Sequence, residues 1–550
     1  MEAIRNVSIR LAEKPNISVG ILLASITAFT LTRRSFHIKG PVVLNDPIPY
    51  VYNTVQYLTS HGDFMDRIID LFKKHNVNVV KFYFALKPTY LITGTKNVQQ
   101  IFGAARMMDG EFLPLRLMDK LWGMSKEEIS RFGNDKTGRF KTPLAGTEAS
   151  TPYRYWASHD KLNIDYMASP KLAATLATPY VHFLGKKLDQ QPLGEWIDIN
   201  FYHTMRRLMS ECSTQALFGT KLGELNPDLI EAFWDVEAVT LSLAWGLPRF
   251  MIPDRYAKRD RLRVMTKKQV DYAWEHFDWD GPDAKADWDP LWGSAWSRES
   301  AVWMRDHGFS NQATAGRVCS TLLGLHSSSV PLTSWAIMEA IQDPFLFQSL
   351  REEALSCMSK DPTTGEMRFD QDKLIKMPLM ESIYIECLRT HIYFNVSRLT
   401  REPIVVEGHT IEKDALIQVS TKIAHFDEDV WGVEGHPASE FWAWRHTNYL
   451  DILDEKSPSK PLEFTMKGRQ NSFFPYGGGH VICPGRFFAK QEMILTIALL
   501  VTKFEIKMDG WAFFHNGSPS DRPARDDKNY AASIGVPPDR EMKIKWRRLM

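Results

Sequence analysis

The stretch Phe473–Phe488, which reads FFPYGGGHVICPGRFF, restricts the possible structures of this chain more than any other. Three consecutive glycines precede Cys483, so the backbone can adopt angles barred to other residues and a flat ligand could lie close to it. Pro484 suits the first position of a helix, where its missing N–H is not needed. A helix over Gly485–Lys503 places Cys483 at its N-terminus, where the dipole and free N–H groups favour thiolate over thiol. Taken alone, such a cysteine is more often a small buried hydrophobe.

The spacing of Tyr476, Gly479, Cys483 and Gly485 resembles the haem-binding signature of the cytochrome P450 superfamily. The resemblance implies haem b (iron protoporphyrin IX) as the cofactor, with Cys483 as the axial ligand of its iron. It also implies that Tyr476, Gly479 and Gly485 belong to the cofactor-binding loop. The fold expected from the resemblance is mainly α-helical, with small β-sheets and an N-terminal membrane anchor.

The chain departs from the superfamily pattern at two positions in this loop. Phenylalanine is usual at the position of Tyr476, and a basic residue is usual at the position of Val481. His480, one place from the expected base, could contact the haem instead. The glycine-rich form that ends in CPGR is similar to fungal biosynthetic members and to a clade that includes sterol 7α-hydroxylase and prostacyclin synthase.

A predicted helix upstream carries Glu386 and Arg389, which are three residues apart and therefore share one helical face. On an exposed surface such a pair is worth at most about 1 kcal/mol. The superfamily instead buries this pair with a second arginine, and Arg445 in the segment Pro437–His446 matches that position. Buried charges are tolerated only when they are paired. The resemblance therefore implies that these three residues hold the loop that presents Cys483.

Two further residues resemble positions that contact haem propionates. Arg398 follows the helix of the glutamate–arginine pair, and an arginine can grip a carboxylate with two hydrogen bonds. Trp156 matches a tryptophan that the superfamily often has in its third helix. The arginine usual four residues later is Asp160 here, so His159 and Lys161 are the neighbouring candidates for the second contact.

The stretch Leu322–Met338 resembles the oxygen-activating helix of the superfamily. Glycine costs a helix about 1 kcal/mol relative to alanine, and a serine run competes for backbone hydrogen bonds, so a local distortion is expected. The resemblance implies that Gly324 opens a groove for dioxygen and that Ser327 and His326 deliver protons. His326 stands where most members have an acid. Pro331 is expected to bend the helix further.

Composition sets broader limits. A net charge of +1 gives no reason to expect a nucleic-acid partner. The five cysteines are widely spaced and odd in number, which favours a reducing compartment. No linker, repeat or low-complexity segment interrupts the chain. The resemblance implies that residues 40–550 form one catalytic domain and that the protein is a monomer.

The segment Ile17–Leu31 is an apolar run of 15 residues. This is shorter than the roughly 20 residues that span a bilayer comfortably. Arg33 and Arg34 follow the run, and the positive-inside rule then places the rest of the chain in the cytosol. The proline-containing segment that comes next resembles the hinge of microsomal members. Residues 1–39 are therefore predicted to hold a single-pass anchor in the endoplasmic reticulum membrane.

Apolar periodicity predicts the other main elements. Val79–Leu86 and Tyr90–Gly94 are predicted to be paired strands. The predicted helices are Asp63–Asn76, Lys171–Leu188, Phe201–Gly219, Pro227–Trp245, Arg255–Phe277, Asn311–Ile341 and Pro344–Met358. The substrate pocket is expected to draw on Phe112–Trp122, Leu241–Phe250, Leu325, Ser329, Asn395–Val396 and Ala531–Ile534.

The function implied by the resemblance is a monooxygenase that takes electrons from a membrane-bound NADPH–cytochrome P450 reductase. The mostly apolar pocket segments favour a lipophilic substrate such as a terpenoid, steroid or polyketide, and secondary metabolism is the expected setting. Two alternatives remain open. One is an isomerase or dehydratase of the same fold that rearranges a peroxide substrate without dioxygen or reductase. The other is a haem binder without catalytic activity.

Overall fold

The computed structural model describes residues 40–148, 153–244, 246–360, 367–449, 462–530 and 534–550. Within these ranges, no helix combines the length and the apolar character needed to cross a membrane. The predicted anchor Ile17–Leu31 lies outside the described residues, as does the part of the predicted pocket at residues 531–533.

Helices dominate the described residues, as the sequence patterns predict. A π-helical segment, Met118–Trp122, directly continues the fourth of them. In chain order the α-helices are α1 (Tyr52–Thr59), α2 (His61–His75), α3 (Thr95–Gly103), α4 (Phe112–Leu117), α5 (Lys126–Asn134), α6 (Tyr155–Met167), α7 (Pro170–Asp189), α8 (Phe201–Phe218), α9 (Lys221–Leu225), α10 (Leu229–Glu237), α11 (Thr240–Ala244), α12 (Pro253–His276), α13 (Ala295–Asp306), α14 (Asn311–Gln342), α15 (Pro344–Ser356), α16 (Gln371–Leu374), α17 (Pro378–His391), α18 (Thr421–Ala424), α19 (Glu428–Trp431) and α20 (Arg486–Lys503).

Most predicted helices agree with the structure within two or three residues, because their ends carry strong local signals. Ser310 caps α14 by accepting the Ala313 N–H, and serine is a preferred residue at that position. The helix continues without interruption through Pro331 to Gln342. The predicted helix Pro227–Trp245 is wrong as one element, since α10 ends at Glu237 and α11 is separate.

The strands are short and form several small sheets. The predicted pairing of the first two long strands is confirmed, since Val79 lies opposite Ile92 in an antiparallel register. In chain order the strands are β1 (Val42–Val43), β2 (Val79–Phe84), β3 (Lys87–Ile92), β4 (Met108–Asp109), β5 (Trp196–Asn200), β6 (Trp288–Asp289), β7 (Gly293–Ser294), β8 (Met358–Lys360), β9 (Met367–Phe369), β10 (Asn395–Thr400), β11 (Ile404–Val406), β12 (His409–Ile411), β13 (Leu416–Ser420), β14 (Thr447–Tyr449), β15 (Leu462–Phe464), β16 (Gly477–Gly478), β17 (Val481–Ile482), β18 (Phe504–Ala512), β19 (Pro519–Ser520) and β20 (Glu541–Arg548).

The chain divides into two compact units. The first contains the described residues up to Asn97 together with Ser397–Val419, and its strands run side by side in the order β1, β2, β3, β13 and β10. The second contains Val98–Val396 and Ser420–Met550, including an antiparallel sheet in the order β19, β18, β20 and β5.

The core of the second unit is built around helices α14 and α20, which pack against each other. Both helices are buried over most of their length, as expected for helices that are apolar on more than one face. This packing connects the helix that follows Cys483 with the helix that carries Gly324 and Ser327.

Candidate active site

A tight hairpin precedes Cys483. Strands β16 and β17 pair antiparallel, with Gly477 opposite Ile482, and the Cys483 N–H donates to the Tyr476 carbonyl at 3.0 Å. Gly477 and Gly479 have φ angles of +77° and +67°, a region that glycine enters without steric cost. The loop is therefore held in one conformation that ends at the cysteine.

Phe102 explains why two of these positions need glycine. A Cβ atom at Gly478 would lie 2.4 Å from the Phe102 ring, and one at Gly479 would lie 2.9 Å from the Phe102 carbonyl oxygen. These glycines therefore let the hairpin pack closely on α3. The sequence predicts instead that these glycines leave room for a flat ligand. Nothing in the sequence around the glycines or around Phe102 indicates that they are in contact.

Helix α20 begins at Arg486, with Gly485 as the N-cap residue, so Pro484 belongs to the preceding turn and not to the first helical position. Cys483 is exposed, yet enough protein surrounds it that burial raises the pKa of its thiol. The backbone N–H groups of Gly485 and Arg486 and the Arg486 charge lower that pKa, but they do not cancel the rise. The helix N-terminus therefore lowers the thiol pKa, as the sequence predicts, but burial outweighs this effect and the net pKa is raised.

Tyr476 and His480, two residues of the loop, have separate contacts. The Tyr476 hydroxyl shares a hydrogen bond of 2.8 Å with the Tyr384 hydroxyl of α17. His480 lies 5.0 Å from Phe140, ring centre to ring centre, and its Nε2 is 3.9 Å from a Glu111 carboxylate oxygen. Tyr476 therefore ties the loop to the neighbouring helix, whereas a haem contact of His480 stays a prediction.

Glu386 is the centre of a fully buried charge cluster. Its carboxylate accepts from Arg389 Nη2 at 2.7 Å, from Arg389 Nε at 2.8 Å and from Arg445 Nε at 2.8 Å. The backbone N–H of Trp442 donates at 3.0 Å, and His446 Nε2 donates at 3.1 Å. Burial alone would raise the pKa of Glu386, but the hydrogen bonds from Arg389 and His446 hold it well below its usual range. The predicted trio thus forms one cluster, with His446 as an additional member.

His425 connects this cluster to the cysteine loop. Its carbonyl oxygen accepts from Arg389 Nη1 at 2.8 Å, and its ring Nε2 accepts from the backbone N–H of Phe474 at 3.2 Å. Burial, with a contribution from the Arg389 charge, lowers the pKa of His425 to about 3, so the ring stays neutral and can accept. The chain of contacts gives a physical route by which the buried arginine positions the loop nine residues before Cys483.

The middle of α14 has one accessible face in an otherwise buried helix. Gly324 is exposed and Ser327 and Ser328 are half-buried, and their spacing of three and four residues places them on the same side. A Cβ atom at Gly324 would meet nothing within 4 Å. The groove for dioxygen that is expected at Gly324 stays a prediction.

His326 does not belong to that face. It is fully buried, its Nε2 is 3.1 Å from the Thr214 hydroxyl of α8, and its ring packs edge-on against Phe233. Burial lowers the pKa of His326 to about 3, so the ring is neutral at physiological pH. The structure gives His326 a packing role, and the predicted part in proton delivery is not supported.

Glu492 is a buried acid that the sequence patterns did not single out, although it stands nine residues after Cys483. It accepts a hydrogen bond from Ser213 of α8, and Ser329 of α14 lies beside it. Burial raises the pKa of Glu492 to about 7, against the effect of those two hydroxyl groups. The carboxyl group therefore joins three helices around the site.

The two predicted propionate contacts have different outcomes. The single N–H of Trp156 donates to the Phe132 carbonyl at 3.0 Å, and the ring is buried against Phe132. The predicted cofactor contact of Trp156 is therefore not supported, because an indole has no second donor. Arg398 is buried on β10 of the first unit, where its Nη1 donates to the Ser397 carbonyl at 2.8 Å. Its contact with a propionate stays a prediction.

Part of the predicted substrate pocket comes together as one apolar cluster. Leu121 and Leu243 are buried in it, from two of the predicted segments, and Leu323 of α14 packs against them. Ser329 is buried, and Ile534 is exposed. Two of the predicted pocket segments therefore meet in one apolar cluster at Leu323, the residue before Gly324.

The residues around Cys483 fit a haem bound through its sulphur. The sulphur is accessible, and two backbone N–H groups lie beside it. A Cβ atom at Gly485 would meet only this sulphur, at 3.9 Å, within 4 Å. The open position at Gly324 leaves room along α14 as well.

Comparison with known proteins identifies the family. The family model for cytochrome P450 matches residues 42–512, so the chain belongs to the cytochrome P450 family, whose members bind haem iron. A cytochrome P450 monooxygenase of Penicillium decumbens, calL, is 40% identical over 498 residues, covering 90% of this chain and 91% of that protein. The monooxygenase fsoE of Humicola fuscoatra is 26% identical over 500 residues, covering 86% and 83%. The expected enzyme class, a cytochrome P450 monooxygenase, and the likeness to fungal members are thus confirmed.

The fold has a counterpart among solved structures. The retinoic acid bound cyanobacterial CYP120A1 matches with a TM-score of 0.63 and 15% sequence identity, covering 93% of this chain and all of that one. At this identity the comparison shows the fold alone, and it confirms the mainly helical architecture.

Proposed function

We propose that this enzyme hydroxylates or otherwise oxidises a lipophilic small molecule of terpenoid, steroid or polyketide type in secondary-metabolite biosynthesis. The observation that carries the proposal is the exposed Cys483 directly before α20, a helix that packs against α14, in a member of this family. The apolar cluster around Leu121 and Leu243 supports a lipophilic substrate. The fungal origin of the similar monooxygenases supports the metabolic setting.

The cofactor in this proposal is haem b, held by the Cys483 thiolate and, through its propionates, by Arg398. When bound, the haem supplies the oxidation of a C–H bond with dioxygen, and the thiolate tunes that chemistry. The backbone N–H groups of Gly485 and Arg486 stabilise the thiolate charge. The thiol of Cys483 would have to lose its proton to hold the iron, so its raised pKa would make coordination weaken as the pH falls.

The chain itself supplies positioning, a proton path and exclusion of water. The half-buried Ser327 hydroxyl on the open face of α14 can hold and pass a proton at its Oγ. The apolar cluster orients the substrate and keeps bulk water out. Electrons come from an NADPH–cytochrome P450 reductase, and the N-terminal segment anchors a monomeric enzyme in the endoplasmic reticulum membrane with the catalytic domain in the cytosol.

Reconstitution tests this function. The haem-loaded enzyme, a fungal NADPH–cytochrome P450 reductase and NADPH would be incubated with the lipophilic extract of a strain that lacks the enzyme. We expect one extract component to gain oxygen from ¹⁸O₂ only when reductase, NADPH and dioxygen are all present. Product that forms without dioxygen or reductase would contradict a monooxygenase.

One observation favours a second function on the same fold. The residue at the position of the usual acid, His326, is turned toward Thr214 and away from the open face, so one member of the expected proton path is missing. An isomerase or dehydratase that rearranges a peroxide substrate needs no such path. Turnover of a lipid hydroperoxide in the absence of NADPH, without net oxygen incorporation, would identify this alternative.

A further inference from the structure

A cavity of about 210 Å³ lies in the second unit between helices α8 and α10, one turn of α14 and the segment near the C-terminus. Its wall contains the aromatic residues Tyr202, Trp234, Phe514 and Tyr530 together with three prolines. Pro331 of α14 also lines it, seven residues beyond Gly324 and therefore on the same side of that helix. Among the described residues, none that is predicted to bind cofactor or substrate lines this cavity.

Arg206 supplies the positive charge of the cavity. Its guanidinium lies over the Trp234 ring, with Cζ 4.1 Å from the ring centre. Its Nε is buried and has no hydrogen-bond partner among the described residues. The adjacent Arg207, by contrast, is exposed and forms an ion pair with Glu211. A partly buried guanidinium without a full set of acceptors favours a ligand that provides them.

The remaining polar groups allow an anionic ligand. The buried N–H of Trp234 has no acceptor within the described part of the chain. Glu237 accepts from the Tyr530 hydroxyl at 3.3 Å, and burial raises the pKa of Glu237 to about 7, so much of it is neutral at that pH. The Asp527 carboxylate accepts the backbone N–H of Asn529 at 2.9 Å and is thus engaged within its own turn.

We propose that this cavity is a binding site for a small aromatic carboxylate. The guanidinium fork of Arg206 matches the geometry of a carboxylate, and the Trp234 N–H offers a further donor. The aromatic wall matches a flat apolar ring. A cavity of about 150 Å³ can hold benzene, so the volume here leaves room for a ring with a carboxyl group.

Benzoate is the probe that tests this site. Isothermal titration of the haem-loaded full chain should give saturable binding of benzoate, with benzamide, a neutral molecule of the same shape, bound about 10-fold more weakly or worse. Arg206→Gln should weaken benzoate binding by about 10-fold or more, since a hydrogen bond to a charged group is lost. Arg207→Gln makes the same change next to the cavity and should leave binding unaltered. Trp234→Phe keeps the ring, removes the N–H and should weaken binding severalfold.

Three results would overturn the site: no saturable binding of benzoate, equal binding of benzoate and benzamide, or equal effects of the substitutions at 206 and 207. The spectrum of the reduced, carbon-monoxide-bound enzyme checks that each variant is folded. If Arg206→Gln does not fold, the comparison of Trp234→Phe with the unchanged protein decides the question in the same assay.

Discussion

Replacement of Glu386 by glutamine should destabilise the protein severely, because no orientation of the amide satisfies the cluster. One carboxylate oxygen of Glu386 faces Arg389, Arg445 and the Trp442 N–H, and the other faces Arg389 and His446. Whichever oxygen becomes the NH₂ group then meets at least two donors. The substitution also leaves two fully buried guanidinium groups without their shared counter-charge.

The magnitude follows from the burial of the cluster. Removal of one partner from a buried ion pair costs about 3–5 kcal/mol, and the entire free energy of unfolding of a folded protein is about 5–15 kcal/mol. His446→Phe is the matched control, since it removes one neutral donor from the same carboxylate and should cost about 1 kcal/mol. Phenylalanine is also the residue that the superfamily pattern has at this position.

Urea unfolding followed by tryptophan fluorescence, together with haem retention after gel filtration, measures both variants. We expect the free energy of unfolding of Glu386→Gln to fall at least about 2 kcal/mol further than that of His446→Phe, with loss of haem. Equal losses for the two variants would refute the assignment of Glu386 as the centre of the cluster.

Four further substitutions test separate parts of the structure. Gly479→Ala should destabilise the enzyme by about 1–2 kcal/mol in thermal unfolding, because alanine is strained at a φ of +67° and its Cβ would crowd Phe102. Gly324→Ala, with open space around the new Cβ, should stabilise the enzyme by up to about 1 kcal/mol. Stability changes of the same sign in both variants would contradict the described environments. His425 has a folded pKa of about 3 against about 6.5 unfolded, so its contribution to stability is complete above pH 6.5 and falls as the pH drops toward 3. His425→Gln should flatten that part of the measured dependence of stability on pH, and an unchanged slope would rule out the buried neutral ring. Ser327→Ala should lower the ratio of product to NADPH consumed in the reconstituted system, and unchanged coupling would exclude a part in proton delivery.

The elements with strong local patterns could be predicted from the sequence. Apolar periodicity predicted the ends of α14 within one residue, and the predicted pairing of β2 with β3 is confirmed. The spacing of Glu386, Arg389 and Arg445 predicted a cluster that the structure contains, although that spacing carries meaning only through its likeness to a known family.

The contacts that could not be predicted join residues far apart in the chain. Nothing near Gly478 indicates that Phe102 packs on it, and nothing near Trp156 indicates that Phe132 takes its N–H. His446 replaces an expected phenylalanine, and only the folded chain shows that its ring reaches Glu386. His326 matches a catalytic position of the superfamily pattern, but a match in sequence does not show which way the side chain points. In the structure its ring contacts the Thr214 hydroxyl.

The most direct test of the account is the absorption spectrum of the reduced, carbon-monoxide-bound enzyme, compared between the unchanged protein and Cys483→Ala. We predict the red-shifted Soret band of a thiolate-ligated haem in the unchanged protein and its loss in the variant, with the far-ultraviolet circular dichroism preserved. A folded, haem-loaded protein without that band, or a Cys483→Ala variant that retains it, would contradict the assignment of Cys483 as the ligand of the haem iron.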